Sequence, residues 1–184
     1  MYNKNIFCVK IFMSFLRGDD FWNMIQHGLS RMELIIGTEA LNNLRNKKVV
    51  VLGLGGVGSY SVEALARAGI GNIVVVDDDT VCLTNLNRQI HAINGTIGKF
   101  KTSVMKQRVE SISRRINVTE IIQTVTRDNV CEFISDDVDY VIDALDTVTA
   151  KIAVAEYCEK NNFKLISCMG TGNKLDPTQF KVSD

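Results

Sequence analysis

The chain has 184 residues, 46% of them apolar and 23% charged, a balance that suits one folded domain with its own core and excludes a disordered or fibrous protein. Its 21 basic and 21 acidic side chains cancel, which removes the excess positive charge of most nucleic-acid binders but leaves room for a local basic face. No apolar run approaches the ~20 residues needed to span a bilayer, so membrane insertion is not expected. The five scattered cysteines (Cys8, Cys82, Cys131, Cys158, Cys168) form no C-x-x-C pair, which speaks against a zinc knuckle and for a reducing cytoplasm.

The opening stretch MYNKNIFCVKIFMSFLRGDDFW has the outline of a signal sequence. Lys10 interrupts its apolar segment, however, and Arg17, Asp19 and Asp20 stand where small cleavage-site residues belong. Residues 1–29 are read as an extension of unclear role, with Met24 as a natural start, and residues 30–184 as the folded domain. From Ser30 the pattern turns helical, with Met32, Ile35, Ile36, Leu41 and Leu44 at three- and four-residue intervals and a break at Gly37-Thr38. Residues 49–52 form a β-branched-rich run, as expected of a strand buried on both faces of a parallel sheet.

Residues 59–68 read as a helix whose apolar face is Val62, Leu65 and Ala66, stopped by Gly69. Residues 73–76 are the next buried strand, ending in Asp77-Asp78-Asp79, and the polar loop TNLNRQ follows. A helix is expected over residues 100–112, a strand over 118–125, a short helix over 129–134 and a strand over 140–142 that runs into DALDT. A helix over 149–160, a strand over 164–167 and a final strand over 179–182 complete the series. Strands alternating with helices predict an α/β fold, a Rossmann-like doubly wound and mostly parallel sheet with helices on both faces. Right-handed crossovers then bring the loops after successive strands to one edge.

Three groups of residues on that edge carry chemistry. Gly53-x-Gly55-x-x-Gly58 lies between a strand and a helix, where a tight turn and free helix N–H groups suit a phosphate. Asp77, at the end of the next strand, is placed to accept from ribose hydroxyls. These features alone fit an NAD-dependent oxidoreductase equally well. The polar segment adds Arg88 and, beyond it, Lys101, and two cations beside the ribose-binding strand favour a triphosphate over a dinucleotide. Plain surface solvation is the competing account of this pair. Asp146 ends the strand YVIDALD and is a candidate for holding Mg2+ or, alternatively, for capping the following helix. Asp143 is the rival metal candidate, unless it satisfies a backbone N–H.

The strings GLGGVGS, VDDDTVCLTNLNRQ, GKFK and DALDT, in this order and spacing, resemble the ThiF/MoeB-like adenylating enzymes related to ubiquitin activation, which include the sulfur-carrier activators for thiamin and molybdopterin. The likeness runs from about residue 30 to the C-terminal end. LSRMELIIG, TVTAK and ISCMGTGNKLDPTQFKVSD are similar to the branch that dehydrates threonylcarbamoyladenosine in tRNA, and GNKLDPT is least like the sulfur-carrier activators.

The resemblance implies a homodimer that uses ATP and Mg2+ to adenylate and cyclise that modified nucleoside. It implies a backbone contact from Gly56 to the nucleotide, Asp77 on the ribose, Asn85 and Arg88 on phosphates, Lys101 on the triphosphate and Asp146 on magnesium. Arg31 matches an arginine that the family contributes across the dimer interface. The resemblance also implies several tens of residues beyond Asp184 that help to hold the tRNA. Activation of the C-terminus of a ubiquitin-like sulfur carrier is the near alternative, and NAD-dependent oxidation the distant one.

Overall fold

The β-branched runs at residues 49–52 and 73–76 become two adjacent inner strands of one sheet. In the computed structural model, which describes residues 27–170, 172 and 175–183, five strands pair in the order β3-β2-β1-β4-β5, all parallel. They are β1 (Lys48–Leu52), β2 (Asn72–Val76), β3 (Asn117–Ile121), β4 (Tyr140–Asp143) and β5 (Leu165–Ser167). The helices are α1 (Ser30–Arg45), α2 (Gly56–Ala68), α3 (Lys101–Ile112), α4 (Val130–Phe133) and α5 (Val148–Lys160). The doubly wound expectation holds. The expectations for residues 1–26, including Met24 as a start, lie outside the described residues, as do Asn173 and Lys174 of GNKLDPT.

Alternation along the central strands explains why they read as unbroken apolar runs. Val49 and Val51 of β1 and Ile73 and Val75 of β2 face one core, with Val62 and Ala66 of α2 and Met105 and Val109 of α3. Val50, Leu52, Val74 and Val76 face the other, with Phe133 of α4 and Val154 and Cys158 of α5. With a helical layer on each face, neither side of the strand is free to be polar. Glu63 ties two of the helices together: it accepts from Arg67 on α2 at 2.7 Å and from Arg108 on α3 at 2.6 Å. These arginines hold its carboxyl below the usual range although burial opposes them.

Three expectations need correction. The last strand, over residues 179–182, does not form; a 3-10 turn, Pro177–Gln179, stands there instead. Asp176 accepts from both the N–H and the hydroxyl of Thr178, and Pro177 has no N–H to give to a ladder, so local bonding wins over the apolar alternation. The strand expected over 118–125 ends at Ile121. Beyond it Asn129 binds the Thr124 carbonyl and the Thr126 N–H, turning the chain out of the sheet while Val125 still reaches the core. In α1, Gly37 (φ 82°) does break the helix, but Ile35 is 84% exposed rather than part of an inner face. No helix among the described residues is long and apolar enough to cross a membrane.

One buried side chain makes the fold sensitive to acid. His91 is 2% exposed, and neither ring nitrogen has a hydrogen-bond partner among the described residues. Burial, aided by the nearby Lys101 and Arg108 cations, pulls its pKa from 6.5 down to about 4. The unfolded ring takes a proton near pH 6.5 while the folded one refuses it, so stability present above that pH is lost as pH falls towards 4. The loss at the acid end of the window is on the order of 3 kcal/mol. Urea midpoints measured from pH 7 to 4 should therefore drop more steeply for the wild type than for His91→Phe; parallel curves would contradict this origin.

Candidate nucleotide site

The strand order places the reversal of winding between β1 and β4. From β1 the chain proceeds outward to β2 and β3; the other half of the sheet is built outward from β4 to β5. The loops that leave the C-terminal ends of β1 and β4 therefore diverge and open a crevice, where ligands bind in such sheets. A cavity of about 530 Å³ lies there. It is lined by Gly53, Gly55, Gly56, Asp77, Asn85, Arg88, Lys101 and Asp146, which are eight of the eleven residues singled out from sequence.

The glycines divide by role. Gly53 turns the chain with φ 86°, and a Cβ on it would lie 2.8 Å from the Ala144 carbonyl oxygen. Gly58 lies below the turn rather than in the cavity: a Cβ there would come 1.9 Å from the Gly53 oxygen, so it permits α2 to lie close on β1. Gly55 meets no such crowding, since a Cβ on it would find no atom of the described residues within 4 Å. Its bareness instead keeps open the space above the start of α2, where the first N–H groups of the helix have no intrahelical partner. This helix begins at Gly56, three residues before the expected start.

Asp77 sits at the end of β2 with its carboxylate already engaged. Oδ2 accepts from the Leu54 N–H at 2.6 Å and Oδ1 from the Asp79 N–H at 2.8 Å. Burial pushes its carboxyl up, against the opposing pull of these N–H groups and of Lys101. Lys101, 5% exposed, donates to Asp79 at 2.5 Å and lies 3.8 Å from Asp77. Surface solvation is therefore excluded for Lys101. Arg88 is exposed and folds over the glycine loop, its Cγ 3.5 Å from where a Gly56 Cβ would be, with Nη1 donating to the Thr84 carbonyl. Asn85 is buried; its Oδ1 accepts from the Cys82 N–H and closes the tight turn Leu83–Asn85.

Asp146 lines the cavity as an exposed carboxylate, touched only by the Thr147 hydroxyl at 3.4 Å among the described residues. It does not cap α5; Thr147 holds that position without a side-chain bond. Asp143 lies beneath, fully buried, and its Oδ1 accepts from the Leu145 N–H, the backbone role considered for it. Arg31, exposed on α1, does not line this cavity.

Sequence reasoning missed three features. Asp79 as the partner of Lys101 was detectable in the acidic triplet. The buried Lys151, which donates to Asp143 at 3.0 Å and to the Cys168 carbonyl at 2.7 Å, gave no signal, because a lysine in a helical segment looks solvated. The far wall, formed by Cys168, Met169 and Gly170, comes from the end of β5; these residues lie in the string ISCMGTGNKLDPT noted for its family likeness, but no role in the site was read from them. Burial raises the Cys168 thiol above its ordinary pKa, so this wall presents no thiolate near neutral pH.

Comparison with known proteins agrees with this geometry. The ThiF family pattern matches residues 29–183. The tRNA threonylcarbamoyladenosine dehydratase of Bacillus subtilis is 46% identical over 158 residues, which are 86% of this chain and 62% of that protein. The E. coli tRNA N6-threonylcarbamoyladenosine dehydratase TcdA, solved in complex with ATP, superposes with a TM-score of 0.83 at 42% identity, covering 85% of this chain and 64% of that one. Its complex with AMP gives a TM-score of 0.82 at 42% identity, over 84% and 63% of the two chains. The chain thus spans less than two thirds of the length of these relatives. Over nearly all of its described residues, it belongs to the ThiF family.

Proposed function

We propose that residues 30–184 form a cytoplasmic ATP-binding adenylating domain whose carboxylate substrate is threonylcarbamoyladenosine in tRNA. The observation that carries this reading is the convergence of the open start of α2, Arg88 and the buried Lys101 on one crevice. The likeness to dehydratases solved with ATP and with AMP supports the nucleotide, and their substrate supports the tRNA.

In this reading the amides at Gly55, Gly56 and Val57 receive phosphate oxygens, with Gly53 and Gly58 shaping the turn. Asp77 keeps carboxylate lone pairs for a ribose hydroxyl, while Asn85, Arg88 and Lys101 bind the polyphosphate. Lys101 exchanges its Asp79 partner for phosphate and stabilises charge on the departing pyrophosphate. The threonyl carboxylate attacks the α-phosphorus and pyrophosphate leaves. The ureido oxygen then attacks the acyl carbon, closing a five-membered ring and expelling AMP. Adenylation supplies the leaving group, and the second attack is intramolecular and hence of high effective molarity. Neither step needs a cysteine nucleophile.

The charge balance of the crevice supports a metal and a second subunit. Four carboxylates, Asp77, Asp78, Asp79 and Asp146, line it against two cations, Arg88 and Lys101. A bare triphosphate would meet net repulsion there. Asp77, Asp78 and Asp79 are engaged with backbone N–H groups, Thr124 and Lys101 respectively. Asp146 is the least engaged, and one carboxylate together with phosphate oxygens and water suits Mg2+. When bound, magnesium would neutralise charge between the phosphates. The partner subunit's Arg31 would add a further cation in a homodimer, consistent with an Arg31 that is exposed and outside its own crevice.

ATP–pyrophosphate exchange tests this function. Exchange should depend on tRNA that carries threonylcarbamoyladenosine; exchange that depends instead on a carrier protein ending in Gly-Gly would overturn it in favour of sulfur-carrier activation. Arg88→Ala and Lys101→Ala should each weaken Mg-ATP binding or adenylation about tenfold or more, the scale of a lost charge-assisted contact. Wild-type affinity in calorimetry of either variant would remove that residue from the site. Asp146→Asn should raise the magnesium concentration needed for ATP binding while leaving AMP affinity near that of the wild type, and an unchanged magnesium titration would count against it.

A further inference from the structure

Lys151 stands where elementary electrostatics disfavours a cation. It is the fourth residue of α5, close to the positive end of the helix dipole, and is 8% exposed. Burying an ammonium group there is tolerated only if its charge and its donors are both met. Asp143, 0% exposed, supplies the charge at 3.0 Å, and the Cys168 carbonyl accepts a second bond at 2.7 Å. The Ser167 hydroxyl donates to the same Asp143 oxygen at 2.5 Å. The other Asp143 oxygen holds the Leu145 N–H at 3.0 Å. The ammonium group therefore joins the end of β4, the end of β5 and the first turn of α5 at one point.

Everything immediately downstream of that point is cavity wall. Ala144, Leu145 and Asp146 follow Asp143, and Met169 and Gly170 follow Cys168. Ala144 is also the residue against which Gly53 is packed with no room for a side chain, and Gly58 is packed in the same way on Gly53. A shift of the β4 exit would displace Asp146 relative to the glycine turn. The Cys168 bond fixes the opposite wall to the same anchor. Lys151 itself does not line the cavity.

We infer that Lys151 is a positioning residue for the metal-and-phosphate half of the site, acting through Asp143 and the Cys168 carbonyl to hold Asp146 and the β5 exit at a fixed distance from the glycine turn. The inference rests on the nucleotide reading above. It predicts a split between ligands. AMP relies chiefly on the glycine turn and Asp77, which Lys151 does not touch, whereas Mg-ATP also needs the β4 exit.

Lys151→Met is tested by calorimetric titration with AMP and with Mg-ATP, alongside the magnesium dependence of ATP binding. The expected result is AMP affinity within about threefold of wild type, with Mg-ATP affinity lower by about tenfold or more. The magnesium midpoint should also move upward. Should the lone substitution fail to fold with Asp143 left unpaired, Lys151→Met combined with Asp143→Asn removes both charges and should show the same split. Unchanged Mg-ATP affinity and magnesium midpoint would overturn the inference. So would an equal fall in AMP and Mg-ATP affinity, which would mark Lys151 as merely supporting the fold. A wild-type chain that binds neither nucleotide would instead overturn the nucleotide reading itself.

Discussion

The site depends on how closely the turn after β1 approaches the exit of β4. Leu52 pairs with Asp143 across the two strands, and the Ala144 N–H binds the Leu52 carbonyl at 2.8 Å. The Gly53 N–H ties the turn to Val76 of β2 at 2.8 Å. Gly53 and Gly58 leave no space for a side chain against Ala144 and against each other. Three strand ends are thereby fixed at one place, and the start of α2, Asp77 and Asp146 fall around a single crevice as a consequence. A substitution that widened this contact would separate the glycine turn from Asp146 even if every polar residue remained.

Around that fixed contact lie two acid–base pairs that differ in exposure. Lys101 is held between Asp79 and, at longer range, Asp77, while Asp77 is itself bound to two backbone N–H groups. These bonds satisfy groups that would otherwise be buried without partners. They also keep the lysine at the crevice wall beside Asp79, whose side chain is 67% exposed, and on the proposed function an incoming phosphate would take the place of Asp79 there. Asp143 and Lys151 differ in kind: both are buried, both are mutually satisfied, and neither lines the cavity. On the proposed function, ligand would break the first acid–base pair, and the second would hold the wall that ligand meets.

Much of this was readable from the chain because the relevant information is local. The strands of β1 and β2 announced themselves as β-branched runs since both faces are covered. The site residues follow strand ends directly, so a correct strand assignment put Gly53, Asp77 and Asp146 on one edge. Errors arose where a local pattern was overruled. Phe180 and Val182 alternate like a strand, yet the bonds between Asp176 and Thr178 set a turn. Ile35 has helical spacing but no inner surface to face. What could not be read was long-range pairing: Lys151 meets Asp143 and Cys168 only because β4 and β5 are neighbours, and His91, two residues beyond TNLNRQ, is buried.

The most direct trial is a crystal structure of the chain grown with Mg-ATP. The polyphosphate should lie across the start of α2, within hydrogen-bond reach of the Gly55, Gly56 and Val57 amides, with the Lys101 ammonium turned from Asp79 onto a phosphate oxygen. Nucleotide bound elsewhere, or a start of α2 left bare with Lys101 still on Asp79 in a saturated crystal, would contradict the account.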